Sequence, residues 1–163
     1  IKKVHQNVNF HILGFCEEDY EDILNEYEKR GVIQYHGMQN DVRAFHKFSH
    51  CTIHPTYYSE GISNVLLESA SSGRPVITTD RFGTRETVED GITGFLFKEK
   101  NTKDLVEKIE RFLSLTNEQR KEMGIRGRIK VIGEFDRQIV VNEYLEKVKS
   151  ALHILVLADK EIR

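Results

Sequence analysis

Short apolar runs alternate with amphipathic segments along the chain. The runs are rich in aromatic and β-branched residues, as buried strands are, and they lie at 9–15, 32–36, 51–55, 76–79 and 95–97. Between them, apolar residues recur at the spacing of a helix, as in the stripe from Tyr20 to Tyr27. Alternation of this kind predicts an α/β fold with a Rossmann-like parallel sheet flanked by helices on both faces.

Residues typical of helix ends indicate where the first helices begin and end. Gly31 suits the C-terminal cap of a helix over 17–30, because glycine adopts the left-handed conformation that ends helices. Asp41 is the predicted N-cap of the short helix that follows. These signals divide the first half of the chain into strand and helix units of similar length.

The last third of the chain is predicted to be mainly helical. Asn101 or Thr102 is the predicted cap of one helix, and Thr116 with Gln119 forms a capping box for the next. A last helix is expected to start after Asp136.

The composition is that of a small globular chain without a strong charge bias. Its 163 residues include 24 Lys and Arg and 26 Asp and Glu, a formal net charge of −2. This gives no basic surface for nucleic acid, so a small-molecule ligand is the expected partner. Two cysteines without a CxxC pair favour a reducing cytoplasm. No apolar run is long enough to span a bilayer.

The stretch from His54 to Pro75 contains the most informative chemistry. It has two carboxylates, Glu60 in a polar turn after an apolar run and Glu68 in the helical segment that follows. Gly61 between them allows a ligand to approach the backbone closely. Free amides and the positive dipole end at the start of this helix predict an anion site that suits a phosphate.

Ligands of open parallel sheets bind beyond the carboxyl ends of the strands. Glu68 follows Asn64 by four residues, which places its carboxylate on the same helix face, about one turn below the anion site. A carboxylate there suits the two hydroxyls of a ribose, and Glu60 would face the group beyond the phosphates. A nucleotide-type pocket is therefore predicted where four turns converge, at 14–15, 37–38, 57–64 and 80–86.

The order of residues in this block matches the signature of a known family. Ten positions agree: Pro55, Glu60, Gly61, Leu67, Glu68, Ala70, Gly73, Pro75, Val76 and Ile77. The chain resembles, over about Val8 to Tyr144, the donor-binding domain of the retaining glycosyltransferases of family 4. The resemblance implies that the fold is one half of a GT-B fold.

The same resemblance implies roles for individual residues. Glu60 would be the catalytic residue that contacts the donor sugar, and Glu68 would bind the nucleoside ribose. The turn at Gly37 and Met38 would line the base, and backbone amides from Gly61 onward would hold the diphosphate and sugar. The implied donor-binding set is Gly14, Gly37, Met38, Gly61, Ile62, Ser63, Asn64, Val65 and Glu68.

The implied reaction transfers a sugar from a nucleotide-sugar with retention at the anomeric carbon. The expected donor is a UDP-sugar, and the expected acceptor is a glycan or a lipid-linked glycan in polysaccharide biosynthesis. No cofactor and no divalent metal is expected. The resemblance implies a cytoplasmic protein, with peripheral association of the full-length protein at the cytoplasmic face of the membrane.

Residues 1–163 are expected to be the donor domain of a longer protein. The family's first strand, its G-R-x-x-x-x-K-G loop and its amino-terminal acceptor domain would precede Ile1, so we expect this chain alone to be inactive. The segment 136–163 contains the apolar run 151–158. Two interpretations of this run stay open, docking on this domain or docking on the missing one.

Two other functions fit the sequence pattern. One is a nucleotide-sugar epimerase of the same fold, and the other is a regulatory nucleotide-binding or interaction module without catalysis. His46 and His50 have the i, i+4 spacing that zinc uses, but no third ligand stands near them in the sequence.

Two residue pairs near the predicted site each allow two interpretations. Tyr57 and Tyr58 either pack against the donor sugar or cover an edge of the core. Arg85 and Glu86 either meet a substrate or close their own loop through an ion pair.

Overall fold

The structure is a computed structural model that describes residues 1–16, 20–58 and 61–161, with side chains up to residue 152. Every strand in this part of the chain forms within or beside a predicted apolar run. All pairings between strands are parallel. The strands are β1 (Phe10–Ile12), β2 (Ile33–Tyr35), β3 (Thr52–His54), β4 (Val76–Thr79) and β5 (Gly94–Phe97).

Helices follow the strands as the alternation of patterns predicts. A short 3₁₀ turn at Arg85–Thr87 lies between β4 and β5. The helices are α1 (Glu21–Lys29), α2 (Arg43–Phe48), α3 (Asn64–Ser71), α4 (Thr102–Leu113), α5 (Asn117–Phe135) and α6 (Arg137–Glu161). The sequence-based prediction of an α/β fold is therefore confirmed.

Most of the predicted caps are present. Gly31 follows α1 with a φ of 64°, and Asn101 Oδ1 accepts the amide of Asp104 at 3.0 Å. Thr116 and Gln119 form the capping box at the start of α5. The hydrogen bonds that these residues predict are therefore formed, each between residues close together in the chain, as capping requires.

Asp41 is not the N-cap of α2, contrary to the prediction. Val42 is the N-cap, and the Asp41 carboxylate one residue earlier accepts the amide of Arg43 at 3.0 Å. The Arg43 guanidinium donates to the same carboxylate at 2.7 Å and lowers the pKa of Asp41 to about 2. The carboxylate therefore makes a local turn instead of capping from the N-cap position.

The strands form two sheets instead of the single sheet predicted. β1 pairs with β2, and β3–β4–β5 form a second sheet in that order. The connection through α2 leads from the first sheet to the second. Within the described ranges, β1, β2, β3 and β5 therefore each have one edge without a ladder partner.

Helices cover both faces of the β3–β4–β5 sheet. On one face, Ile77 packs with Phe95, with Phe112 of α4 and with Met123 of α5. On the other face, Val76 packs with Leu66 of α3. Because neighbouring strand residues point to opposite faces, the buried run of β4 supplies both clusters. This packing fixes the carboxyl ends of β3 to β5 and the start of α3.

The last helix, α6, is exposed along its described length. Val141, Leu145, Val148 and Leu152 recur at helical spacing, and each is at least 44% exposed. The described part of α6 therefore does not dock its apolar stripe on this domain. The side chains of 153–158, most of the run for which docking was predicted, lie outside the described residues. Among the residues that the structure describes, no helix is long and apolar enough to cross a membrane.

Candidate functional site

A cavity of about 620 Å³ opens between α2 and α3. The Arg74 guanidinium donates to the carbonyl of Lys47 at 3.1 Å and ties the segment after α3 to α2. The cavity is lined by Gln39, Asn40, Asp41, Val42, Arg43, His46, Asn64, Leu67, Glu68, Ser71 and Ser72. Its walls come from two separate predicted units, the loop after β2 and the helix after β3.

Two of the predicted binding residues line this cavity together. Asn64 and Glu68 lie one helical turn apart on α3 and both contribute to its wall. Glu68 is exposed to solvent, so its carboxylate is accessible to a ligand. An accessible carboxylate of this kind accepts hydrogen bonds from a pair of hydroxyls.

His46 is a cavity residue that sequence reasoning assigned no role beyond metal binding. It is 9% exposed, and burial lowers its pKa. The negative charge of Glu68 raises that pKa, and the positive charge of Arg74 lowers it. A neutral imidazole therefore stands beside the carboxylate at neutral pH. In the sequence, the one signal that could have indicated His46 as a cavity residue is its position on the helix that follows β2.

The turns after β1 and β2 are joined to each other. The amide of Gly14 donates to the carbonyl of Gly37 at 2.9 Å, and Tyr35 Oη donates to the carbonyl of Gly14 at 2.9 Å. Gly37 has a φ of 63°, a conformation that glycine adopts without strain. Met38 follows it with its side chain 71% exposed. These residues do not line the cavity themselves, but they lead directly into Gln39 at its wall.

The turn before α3 differs from the prediction at Ser63. Its side chain is buried and its amide donates to the carbonyl of Gly83 at 3.0 Å. Ser63 therefore has no free amide for a ligand, and its role is to anchor the turn. The amides of Asn64 and Val65 stand in the first helical turn, where no intrahelical carbonyl is available.

The neighbouring glycine and isoleucine of this turn remain accessible. Gly61 and Ile62 are both exposed. A Cβ built on Gly61 would meet no atom within 4 Å, so the backbone can be approached from solvent. Glu60, the predicted catalytic residue, lies outside the described residues.

The loop after β4 is closed by its own side chains. Arg85 Nε lies 3.1 Å from Asp80 Oδ1, and Glu86 accepts the amide of Gly83 at 2.7 Å. Thr84 Oγ1 donates to the carbonyl of Thr79 at 2.6 Å. Of the two interpretations of Arg85 and Glu86, these contacts favour loop closure.

The residues considered for metal or thiol chemistry lie in surroundings that indicate a structural role. In the described ranges, no three His, Cys, Asp or Glu side chains come together as a group that could hold a metal ion. Cys51 packs against the core, and burial raises the pKa of its thiol to about 12. Such a thiol stays protonated, as expected of a structural cysteine.

Comparison with known proteins identifies the family of this chain. The family model described as "Glycosyl transferases group 1" matches residues 1–130. The capsular polysaccharide biosynthesis glycosyltransferase CapM of Staphylococcus aureus is 30% identical over 141 residues. The lipopolysaccharide core biosynthesis glycosyltransferase LpsE of Rhizobium meliloti is 27% identical over 141 residues. These alignments cover 84% and 85% of this chain, but 36% and 41% of the relatives.

Solved structures share the fold. Anabaena HepE in complex with UDP matches 88% of this chain and 41% of its own length, at 19% identity and a TM-score of 0.77. The C-terminal domain of the group 1 protein LpcC from Francisella tularensis matches at 18% identity and a TM-score of 0.70. That match covers 83% of this chain and 73% of the domain. The half-GT-B fold implied by the sequence is thereby confirmed, and the chain belongs to the glycosyl transferases of group 1.

Proposed function

We propose that this chain is the donor-binding half of a glycosyltransferase that uses a UDP-sugar. The observation that carries the proposal is the α2–α3 cavity. Its wall includes Asn64, in the first turn of α3 with its free amides, and Glu68, one turn further along the helix. Phosphates favour helix N-termini and ribose hydroxyls favour carboxylates, so a nucleoside diphosphate matches both groups at once.

The orientation of the donor follows from this arrangement. The ribose lies against Glu68, the diphosphate lies at the amides of Asn64 and Val65, and the sugar extends beyond them toward Gly61. His46 is neutral at the cavity wall, so it adds no charge beside the ribose. HepE, which shares the fold, has been solved with UDP bound, and this supports the choice of nucleotide.

The remaining elements of the reaction are proposed from the family. Glu60 contacts the donor sugar, transfer proceeds with retention without a divalent metal, and the acceptor is a glycan or a lipid-linked glycan. Helix amides and basic side chains stabilise the leaving diphosphate, as a metal ion otherwise would. The full-length protein acts in polysaccharide biosynthesis in the cytoplasm, at the membrane face.

We propose that further elements complete this domain in the full-length protein. β1 and β3 each have a free edge in the described ranges, so one parallel strand inserted between them would join the two sheets. A strand placed there would deliver its following loop to the same crevice. The basic G-R-x-x-x-x-K-G loop of the family would then lie at the diphosphate.

Calorimetry on the full-length protein tests the nucleotide site. We expect UDP to bind, with GDP and ADP as comparison nucleotides and with EDTA present to exclude metal-dependent binding. The control variant is Glu122→Gln, which removes an exposed carboxylate of α5 that pairs with Arg126. Absence of binding by all three nucleotides would contradict the proposal and favour a module without nucleotide chemistry.

Product analysis tests the reaction class. We expect sugar transfer by the full-length protein to an acceptor fraction from its own cells, and a loss of roughly 10²-fold or more for Glu60→Ala if its contacts strengthen in the transition state. Conversion of the donor to an isomer without acceptor would instead identify an epimerase. Retention is read from the anomeric configuration of the product.

A further inference from the structure

Tyr57 and Tyr58 form an exposed aromatic pair just beyond β3. Their ring centroids are 4.6 Å apart with an interplanar angle of 27°, and their hydroxyl oxygens are 3.3 Å apart. Tyr57 is 46% exposed and Tyr58 is 67% exposed. The pair therefore does not cover an edge of the core, which was one of the two interpretations open from the sequence.

The backbone below the pair is fixed by hydrogen bonds. Thr79 Oγ1 at the end of β4 donates to the carbonyl of Thr56 at 2.7 Å. The amide of Tyr58 donates to Thr56 Oγ1 at 3.3 Å. Since Thr79 is itself buried, the two rings start from a rigid point on the sheet.

Lys100 adds a cation to this pair. Its Nζ lies 4.9 Å from the centroid of the Tyr57 ring. Lys100 has a φ of 54° and is the one residue other than glycine with positive φ in the described ranges. The turn that holds it is fixed from α4, because Asp104 accepts the amide of Lys98 at 2.7 Å while the Asp104 amide donates to Asn101. The turn therefore fixes the backbone from which the Lys100 side chain reaches the Tyr57 ring.

The pair lies at the carboxyl ends of the strands of the β3–β4–β5 sheet. The α2–α3 cavity lies between the helices that precede and follow β3, and the proposed donor runs from there to the turn before α3. Lys100 follows β5, so the contact between Tyr57 and Lys100 extends from the end of β3 across the end of β4 to the end of β5. An acceptor that approaches the donor sugar from the side opposite the α2–α3 cavity would lie over the ends of these strands.

We propose that Tyr58 is a platform for a pyranose ring of the acceptor glycan, with Tyr57 and Lys100 as positioning residues. This inference rests on the proposed function. An exposed aromatic ring presents an apolar face with a polar edge, which matches the C–H face and the hydroxyls of a pyranose. The Lys100 ammonium orients the Tyr57 ring, and the Tyr57 ring in turn positions the Tyr58 ring stacked on it.

Direct binding to the full-length protein saturated with UDP tests the platform. The probes are maltotriose, cellotriose and chitotriose, followed by NMR of the protein with isotope-labelled tyrosine rings. We expect at least one trisaccharide to shift the Tyr58 resonances in proportion to its occupancy. Tyr27 is the internal control, since it is also exposed and has the Arg30 guanidinium 5.0 Å from its ring centroid, but it lies on α1.

Variants separate recognition from a structural role. Tyr58→Ala should raise the dissociation constant of the trisaccharide about tenfold, which is the size of an aromatic contact. Tyr58→Phe should restore most of the affinity, because it keeps the ring. Lys100→Gln should weaken binding and shift the Tyr57 resonances, with recovery in Lys100→Arg. Tyr27→Ala and Arg30→Gln should leave the affinity unchanged, and UDP affinity should be equal in all variants.

Three results would overturn the inference. UDP binding without a Tyr58 response to any trisaccharide would refute the platform and leave the donor proposal standing. Protection of the Tyr58 ring from a soluble paramagnetic agent in the unliganded full-length protein would make the pair a contact with another part of the protein. Absence of UDP binding would refute the donor proposal and this inference with it.

Discussion

His46 and Glu68 contribute to the same cavity from two different helices, and the Glu68 carboxylate acts on the titration of the buried imidazole. Burial lowers the pKa of His46, and the negative charge of Glu68 partly offsets that effect. The interaction therefore links α2, which follows β2, to α3, which follows β3. It also provides a spectroscopic signal for the state of Glu68 that does not depend on catalysis.

Glu68→Gln should therefore change two measurements together. UDP affinity should fall roughly 10- to 100-fold, because hydrogen bonds to a charged group contribute ~1.5–3 kcal/mol. The pKa of His46, followed by NMR, should fall further, since the charge that raises it is removed. Glu122→Gln serves as the control for both. An unchanged affinity together with a changed His46 pKa would show that Glu68 lies at the cavity without binding the ribose.

His11 and His36 predict how stability depends on pH. His11 Nδ1 lies 2.9 Å from His36 Nε2, so one ring must accept a hydrogen bond and stay neutral. Burial, followed by the charge of His36, lowers the pKa of His11 below 6.5. Unfolded chains then bind more protons than folded ones as the pH falls below about 6.5. The contribution of this histidine to the free energy of unfolding is therefore fully present above that pH and decreases below it.

Denaturation in urea at pH 8 and pH 5.5 measures this effect. His11→Phe should reduce the loss of stability between the two pH values, because phenylalanine retains the ring contact with Phe48 and removes the titrating group. The control is His50→Gln at an exposed position. His46 acts in the same direction, so part of the dependence should remain in the His11 variant. An equal pH dependence in His11→Phe and in the parent would contradict this account.

The elements of the fold could be predicted because their signals are local. The run Val76–Thr79 is β-branched at every position, and Thr116 and Gln119 satisfy each other's amides within one turn. Pairing between strands is not local, and this is why a single sheet was predicted where the described ranges form two. The boundary at Asp41 was wrong for a different and local reason, because Arg43, two residues later, determines what the Asp41 carboxylate binds.

The candidate site could be predicted only in part. Asn64 and Glu68 were placed on one face because helical spacing alone determines it. The burial of Ser63 depends on Gly83, twenty residues later in the chain, and the place of His46 depends on how α2 packs beside α3. No pattern within one segment contains that information.

Gly124 marks a close approach between α5 and the end of α3. A Cβ at this position would overlap the carbonyl oxygen of Gly73 and lie 3.2 Å from Pro75 Cδ. Gly124→Ala should therefore lower the free energy of unfolding by about 1–3 kcal/mol, as overpacking does. Thermal unfolding of the purified protein measures the change.

Gly133→Ala is the matched control in the same helix. A Cβ there would meet nothing within 4 Å, so alanine should raise the free energy of unfolding by about 0.5–1 kcal/mol through helix propensity. The two substitutions are chemically identical and should have opposite signs. If Gly124→Ala also stabilised the protein, the close packing of α5 on α3 would be incorrect.

The exposed stripe of α6 predicts an interface in the full-length protein. Val141, Leu145 and Val148 lie on one side of the helix and are each at least 44% exposed on this domain. If the other half of the protein covers them, Leu145→Asp should bury a charge and cost about 2 kcal/mol or more. The melting temperature of the full-length protein should then fall by roughly 2 °C or more. Glu143→Ala on the opposite side should leave it nearly unchanged, because an exposed ion pair with Lys147 contributes little. Equal melting temperatures for Leu145→Asp and the parent would show that the stripe stays in solvent.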